Sequence, residues 1–136
     1  MKHALLVLLC SLALLSARAA DDWKVYYQNA GITISYRYAD CNDAANGIQQ
    51  QKVFLKFTSV AAQDVKITFD RKLQYEGQAI SSGDHAYEVV LKAGETREGN
   101  CETRDKAFYI FSKQLNTEGS VLKTFILSSI NVKPIN

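Results

Sequence analysis

His85 is the one histidine of this chain that lies beyond its first ten residues. Histidine is the side chain whose ordinary pKa best suits proton transfer near neutral pH. A hydrolase built on a nucleophile, a histidine and a carboxylate would therefore have to use His85. Its neighbours Ser82, Gly83 and Asp84 are typical of a turn. We interpret His85 as a solvated turn residue and as a candidate contact for a binding partner.

Oxygen-bearing side chains cluster at Asp40, Asn42, Asp43 and Asn46. Such oxygens are the usual ligands of Ca²⁺. The cluster lacks the spaced Asp/Asn run and the closing Glu of a known calcium loop, so we predict no metal site. We interpret residues 39–50 as a polar loop in which Asp43 is a candidate interaction residue.

Motifs of enzyme active sites are missing from the sequence. Carboxylates adjoin only as local neighbours such as Asp21 and Asp22. General acid–base catalysis needs carboxyl groups held across a cleft with altered pKa values. There is also no Gly-rich phosphate-binding loop and no Cys-x-x-Cys spacing. We therefore predict a protein that binds rather than catalyses and that uses no cofactor.

Cys41 and Cys101 are the cysteines of the region that we expect to fold. In an exported domain two cysteines usually pair. The alternatives are free thiols, which an oxidising compartment does not preserve, and metal ligands, for which a single histidine is a poor complement. A bond would close a loop of about 60 residues, worth roughly 4 kcal/mol in the chain-entropy model.

Aromatic side chains are the remaining lead to a binding site. When exposed, Tyr and Trp form sugar-stacking platforms and protein interaction hot spots. Tyr is also a good strand residue with a half-buried ring, and we favour that interpretation for most of them. We keep Trp23 and Tyr26 as candidate interaction residues because they lie near a chain end. The aromatic residues in question are Trp23, Tyr26, Tyr27, Tyr36, Tyr38, Tyr75, Tyr87 and Tyr109.

The N-terminal segment has the three-part layout of a secretory signal peptide. A basic start is followed by an uncharged, Leu-rich run at 4–15 and by a small-x-small site at Ala17 and Ala19. A membrane anchor is the alternative, but the run is short for a transmembrane helix. We predict that residues 1–19 are removed and that the protein is secreted or periplasmic.

Lipid attachment at Cys10 is a further alternative. It would need a small preceding residue, and Leu9 stands there.

The charge balance changes if the signal peptide is removed. Loss of Lys2 and Arg18 would lower the 16 Lys and Arg residues to 14, equal to the 14 Asp and Glu residues. A neutral chain with scattered charges lacks the electrostatic footprint of a nucleic-acid binder. We expect no second apolar run of membrane length and a single domain over 20–136.

Alternating apolar residues indicate the elements that position these side chains. Val53, Leu55 and Phe57 share one face of a strand, and Val65, Ile67 and Phe69 share a face of the next. A period of two is the signature of a half-buried strand. Similar runs recur along the chain between turn signals. We predict an all-β, antiparallel β-sandwich of about seven or eight strands, with a barrel as the alternative.

Several segments resemble those of small exported bacterial proteins of unknown function with an immunoglobulin-like or fibronectin-III-like sandwich. They are GITISY at 31–36, VFLKF at 53–57, VKITF at 65–69 and the turn LKAGET at 91–96 before Cys101. The resemblance implies a fold and no activity.

The chain departs from a true immunoglobulin domain in two respects. There is no Trp between Cys41 and Cys101, and Gly99 stands where a tyrosine corner has Tyr. We expect the disulfide to tie a loop to an edge. The function we predict is binding of another envelope or secreted protein; the alternative is carbohydrate binding through exposed Tyr and Trp.

Overall fold

The computed structural model of the protein describes residues 22–81, 83 and 85–135. The predicted signal peptide, with Cys10, lies outside the described residues, as do Ser82 and Asp84. The described part is all-β and antiparallel, which confirms that prediction, and it contains no α-helix. It forms nine strands: β1 (Lys24–Asn29), β2 (Ile32–Asp43), β3 (Ile48–Ser59), β4 (Val65–Tyr75), β5 (Gln78–Ser81), β6 (Tyr87–Leu91), β7 (Thr96–Glu98), β8 (Tyr109–Gln114) and β9 (Leu122–Pro134).

The strands form two antiparallel sheets with the same general plan. In sheet A, β1, β2 and β3 are neighbours, and the far side of β3 is shared by β7 and β8. In sheet B, β9 follows one side of β4, while β5 and β6 share the other side. Each sheet is thus organised around long strands, with short strands completing one side. Among the described residues, no helix is long and apolar enough to cross a membrane.

The apolar faces of both sheets meet in one core. The strand residues that we expected to be buried are all buried, which confirms the face assignment. Phe57 of sheet A lies 5.7 Å from Phe69 of sheet B between ring centroids, and 5.5 Å from Phe108. A smaller cluster continues the core beyond Phe69. The confirmed residues are Val53, Leu55, Phe57, Val65, Ile67 and Phe69.

A buried arginine interrupts the apolar face of β4. Arg71 lies on that face between Phe69 and Leu73, and only 8% of its surface is exposed. Its guanidinium donates to the carbonyl oxygens of Lys106 and Tyr109 at 2.7 and 3.0 Å. It also donates to the Tyr87 hydroxyl at 2.9 Å, and its Cζ lies 4.1 Å from the centre of that ring.

Burial lowers the pKa of the Arg71 guanidinium, and the nearby Tyr87 and Tyr75 partly offset this effect. An arginine pKa is normally so high that the side chain is charged at neutral pH. Arg71 is therefore a charged side chain in the core, and its hydrogen bonds to Lys106 and Tyr109 fix the segment that leads into β8.

The predicted polar loop at 39–50 is wrong. β2 continues to Asp43 and β3 begins at Ile48, so only a short 3₁₀ turn at Ala44–Asn46 and Gly47 connect them. The two strands pair without a register shift over this stretch. Backbone hydrogen bonds hold such a ladder together whatever the side chains, and this end of the hairpin has few apolar residues to mark it. Gly47, with φ of +67°, closes the turn.

The disulfide between Cys41 and Cys101 is confirmed, with its Cα atoms 5.5 Å apart. Cys41 lies on strand β2 rather than in a loop, which corrects our placement of it. It is on the outer face of sheet A, because Ile32 and Ile34, at the alternate positions, face the core. Cys101 follows β7, so the bond ties the segment after β7 to the outer face of β2.

Candidate functional site: the outer face of sheet A

Tyr26, a predicted interaction residue, is used inside the fold. Its hydroxyl donates to the Leu127 carbonyl at 3.2 Å and accepts from the Leu127 amide at 2.8 Å. Its ring stacks on Phe125 at 5.9 Å. These contacts link the edge strand of sheet A to the edge strand of sheet B. Tyr26 thus has a structural role that the sequence did not reveal.

Asp43 and His85 lie on connections of different sheets. Asp43 carboxylate oxygens accept from the Asn46 amide nitrogen at 3.4 Å and from its side-chain amide at 2.7 Å, so Asp43 closes the β2–β3 turn. It also lines a shallow groove of about 330 Å³ beside the disulfide. His85 is exposed in the β5–β6 connection of sheet B. The two residues therefore belong to separate surfaces.

Most of the other aromatic residues pack in or against the core. Tyr75 is buried, and its hydroxyl donates to the Phe111 carbonyl at 2.6 Å. Tyr36 packs edge-on against Phe125 at 5.2 Å. Tyr38 is the most exposed of them, at 46%, and burial of the remainder raises the pKa of its phenol. The interpretation of tyrosine as a half-buried strand residue fits these positions.

Trp23 is in contact with two cations on the outer face of sheet A. Its ring centroid is 4.7 Å from Arg37 Cζ and 4.7 Å from Lys56 Nζ. A cation within about 6 Å of an aromatic centroid is attracted by the ring quadrupole. The two cations are consequently held within twice 4.7 Å of each other, although Arg37 is on β2 and Lys56 is on β3.

The strand register explains this meeting. Tyr36 and Leu55 pair across β2 and β3 with their side chains toward the core, so the adjacent Arg37 and Lys56 point outward. Lys24 pairs with Tyr36, and the same register places Trp23 level with Arg37. The sequence pattern of alternation therefore decides which cations share a face.

A second cation–aromatic contact lies on the same face. Lys52 Nζ is 4.7 Å from the ring centroid of Tyr109, and Lys52 also lines the groove beside the disulfide. We call this surface the cationic face. It consists of Trp23, Arg37, Lys52, Lys56 and Tyr109.

The cations of the cationic face form no close ion pair with a carboxylate of the described residues. Within the described ranges, the ion pair closer than 4.0 Å is that of Lys123 with Glu76, at 3.1 Å. Glu98 is the cross-strand neighbour of Lys56 but forms no such pair. Among the described residues, Arg37 Nε is buried and has no hydrogen-bond partner. Arg37 and Lys56 are therefore held by the Trp23 ring rather than by a close carboxylate.

Sequence reasoning identified Trp23 and missed its cationic neighbours. Arg37 and Lys56 are 19 positions apart, and neither belongs to a run of like charge. Alternation along the two predicted strands indicates that both side chains point to the outer face. Bringing them together also requires the pairing register of β2 with β3, which the sequence pattern does not specify.

The residues that the structure describes hold no group of three or more His, Cys, Asp or Glu side chains that could bind a metal ion. Comparisons with known proteins found no matching family model, no matching curated protein and no matching solved structure. The resemblance to immunoglobulin-like exported proteins therefore stays a prediction, and function has to be argued from the site itself.

Proposed function

We propose that this protein is an exported, non-catalytic module that binds another protein of the cell envelope or extracellular space through the cationic face. The observation that carries the proposal is the cluster of Arg37 and Lys56 around Trp23, in which, among the described residues, neither cation forms an ion pair closer than 4.0 Å. Trp and Arg are enriched among the residues that dominate protein interfaces. Positive charge without an internal partner also favours an oppositely charged surface.

The β9 edge of sheet B is a weaker candidate than this face. Strand β9 is an edge strand, but its register shifts near Ser129, whose φ is +51°. Tyr26 occupies the outward backbone groups of Leu127. Lys123 and Lys133 flank the same strand. Bulges and lysines are devices that keep an edge from pairing with another chain, so addition of a partner strand is disfavoured.

Carbohydrate binding is the alternative, and one feature favours it. Trp23 and Tyr38 line the same shallow groove together with Asp22 and Lys24. Sugar stacking needs an open aromatic face, whereas Trp23 is half-buried and carries a cation contact from each of two strands. A protein partner therefore fits the face better than a sugar.

Export is part of the proposal. It is supported by the predicted signal peptide at 1–19, whose layout is that of a secreted protein. The Cys41–Cys101 disulfide is compatible with an oxidising compartment, where such bonds form and persist. Mass spectrometry of the exported protein should find a chain that begins at or near Ala20; retention of residues 1–19 would contradict this part.

The test of function is quantitative capture from a native envelope fraction with the 20–136 domain as bait. The double variant Arg37→Glu/Lys56→Glu should lose the captured protein. The matched control Lys66→Glu/Lys72→Glu reverses two charges on the outer face of sheet B and should retain it. A glycan array is probed in parallel with the same three proteins.

Each outcome of that experiment decides something. Capture that survives in the Arg37/Lys56 variant would refute the cationic face as the binding surface. Binding confined to glycans, and lost with the same variant, would select the carbohydrate alternative. A separate assay tests catalysis. If the purified domain turns over ester, peptide or glycoside substrates, and the variants His85→Ala and His85→Glu abolish that turnover, the non-catalytic proposal is wrong.

A further inference from the structure

We infer that Arg37 and Lys56 form a carboxylate-binding site beside Trp23, and that its ligand is an acidic peptide segment presented by a partner protein. The inference rests on the proposed function and specifies the chemical group that the cationic face recognises. The ligand group is an Asp or Glu side chain, or the carboxylate at a chain terminus.

The two cations lie close together on one face. Arg37 Cζ and Lys56 Nζ are each 4.7 Å from the Trp23 ring centroid, so an acidic segment that covers this ring would bring carboxylates near both of them. Both side chains are partly buried, and partial burial strengthens the attraction because the local dielectric constant is lower than in water. Hydrogen bonds between such cations and a carboxylate are about twice as strong as neutral ones.

Arg37 has one guanidinium nitrogen without a hydrogen-bond partner among the described residues. This atom, Nε, is buried. A buried donor without a partner is costly, and few remain in native structures unless a ligand or water satisfies them. A planar carboxylate can accept from Nε and from a terminal guanidinium nitrogen at once. Because Nε has almost no exposed surface, this bidentate contact requires the Arg37 side chain to turn toward the ligand.

Arg37 and Lys56 are both partly exposed on the outer face of β2 and β3, so a side chain that projects from another protein surface can reach them. Lys52 lies farther along the same face of β3 and could meet a second acidic residue. Spaced cations on one strand face therefore favour an extended acidic segment over a single free anion.

Trp23 makes the inference directly measurable, because it is the only tryptophan of the chain. The mature, oxidised protein is titrated with a capped tetraglutamate peptide while Trp23 fluorescence is recorded. We expect a saturable change that weakens with added salt and vanishes below about pH 4, where Glu carboxylates become protonated. A capped tetraglutamine peptide and sodium acetate test the need for charge and for a multivalent segment.

The variants Arg37→Gln and Lys56→Gln should each weaken peptide binding about tenfold or more, because each removes one charged hydrogen-bond partner. Lys66→Gln, on the outer face of sheet B, should leave it unchanged. Circular dichroism and urea unfolding establish that each variant is folded. Two single variants are used so that the test survives if Arg37→Gln does not fold.

Several results would overturn the inference. An equal response to tetraglutamine, no response to tetraglutamate, or unaltered binding in both variants would each do so. A tighter response to oligogalacturonate than to tetraglutamate would assign the site to an acidic glycan instead. If envelope capture depends on the cationic face but tetraglutamate does not bind, the inference fails while the proposed function stands. If tetraglutamate binds but envelope capture does not depend on the cationic face, the proposed function fails while the carboxylate-binding site stands.

Discussion

Replacing Arg71 with methionine tests how a charge placed in the core affects stability. Methionine keeps much of the side-chain volume and removes the charge and the donors. The acceptors that then lose a partner include, among the described residues, the carbonyls of Lys106 and Tyr109 and the hydroxyl of Tyr87. A buried polar group left without a partner costs about 1–3 kcal/mol.

The opposing effect is the removal of a buried charge. Desolvation of an ion costs several kcal/mol, and replacing buried charged groups with apolar residues is often neutral or stabilising. Here the two carbonyls belong to the 3₁₀ turn Lys106–Phe108 and the start of β8, whose backbone cannot easily turn toward water. We therefore expect the lost hydrogen bonds to win, and Arg71→Met to lower the free energy of unfolding by about 2–4 kcal/mol.

Urea unfolding of the oxidised protein at neutral pH measures this difference. Lys72→Met is the matched control, because Lys72 is the next residue of β4 and its side chain is exposed; its effect should stay within about 0.5 kcal/mol. Amide exchange should also become faster at 106–110 in Arg71→Met. An Arg71→Met protein as stable as the wild type, with unchanged exchange, would refute the argument.

Three further predictions concern the core, the disulfide and alkaline pH. Phe57→Ala should cost about 3–5 kcal/mol in urea unfolding because Phe57 is fully buried, whereas Lys66→Ala should cost little; equal effects would contradict the face assignment. Denaturing thiol labelling should find no free cysteine, and reduction of Cys41–Cys101 should lower the melting temperature by roughly 10–20 °C, so two labelled thiols or an unchanged transition would argue against the bond. Burial raises the pKa of the Tyr75 phenol in the folded protein. The free energy of unfolding should therefore fall as pH rises from the unfolded-state pKa of about 10 through the higher folded-state pKa. Tyr75→Phe should reduce this fall, and a variant with the same pH profile as the wild type would exclude Tyr75 as its source.

Core positions could be predicted because burial leaves a period of two in the sequence. Leu55, Phe57, Ile67 and Phe69 follow that period and all lie in the core. The same rule failed at 39–50, where the strands continue with polar residues on both faces. Backbone pairing extends the hairpin there, and the Cys41–Cys101 disulfide ties it to the segment after β7. A ladder of backbone hydrogen bonds leaves no mark on side-chain polarity.

Arg71 shows a second limit of pattern reasoning. Its position follows the alternation of β4, but an arginine at a core position normally argues against burial. Burial is acceptable because the partners of its guanidinium include acceptors from described residues 16 to 38 positions away. A contact of that kind depends on the path of the 3₁₀ turn before β8, which no local signal predicts.

The candidate site lies between these two cases. Trp23 was recognisable by residue type, and the outward direction of Arg37 and Lys56 follows from strand parity. Their meeting on one ring required the register of two strand pairs, β1 with β2 and β2 with β3. Register is weakly marked where the outer face is polar, so the cluster could not be assembled from sequence.

The support beneath the cationic face is the reason that we assign binding to it rather than to a turn. β2 and β3 pair without a register shift from Ile32 opposite Ser59 to Asp43 opposite Ile48, and their inner faces are fixed in the core. The Cys41–Cys101 disulfide ties the segment after β7 to the same face. Side chains carried by such strands lose little further freedom when a partner binds, whereas a loop must first be ordered. Arg37 and Lys56 are further held in place by the Trp23 ring, so most of the ordering is complete before any acidic group arrives.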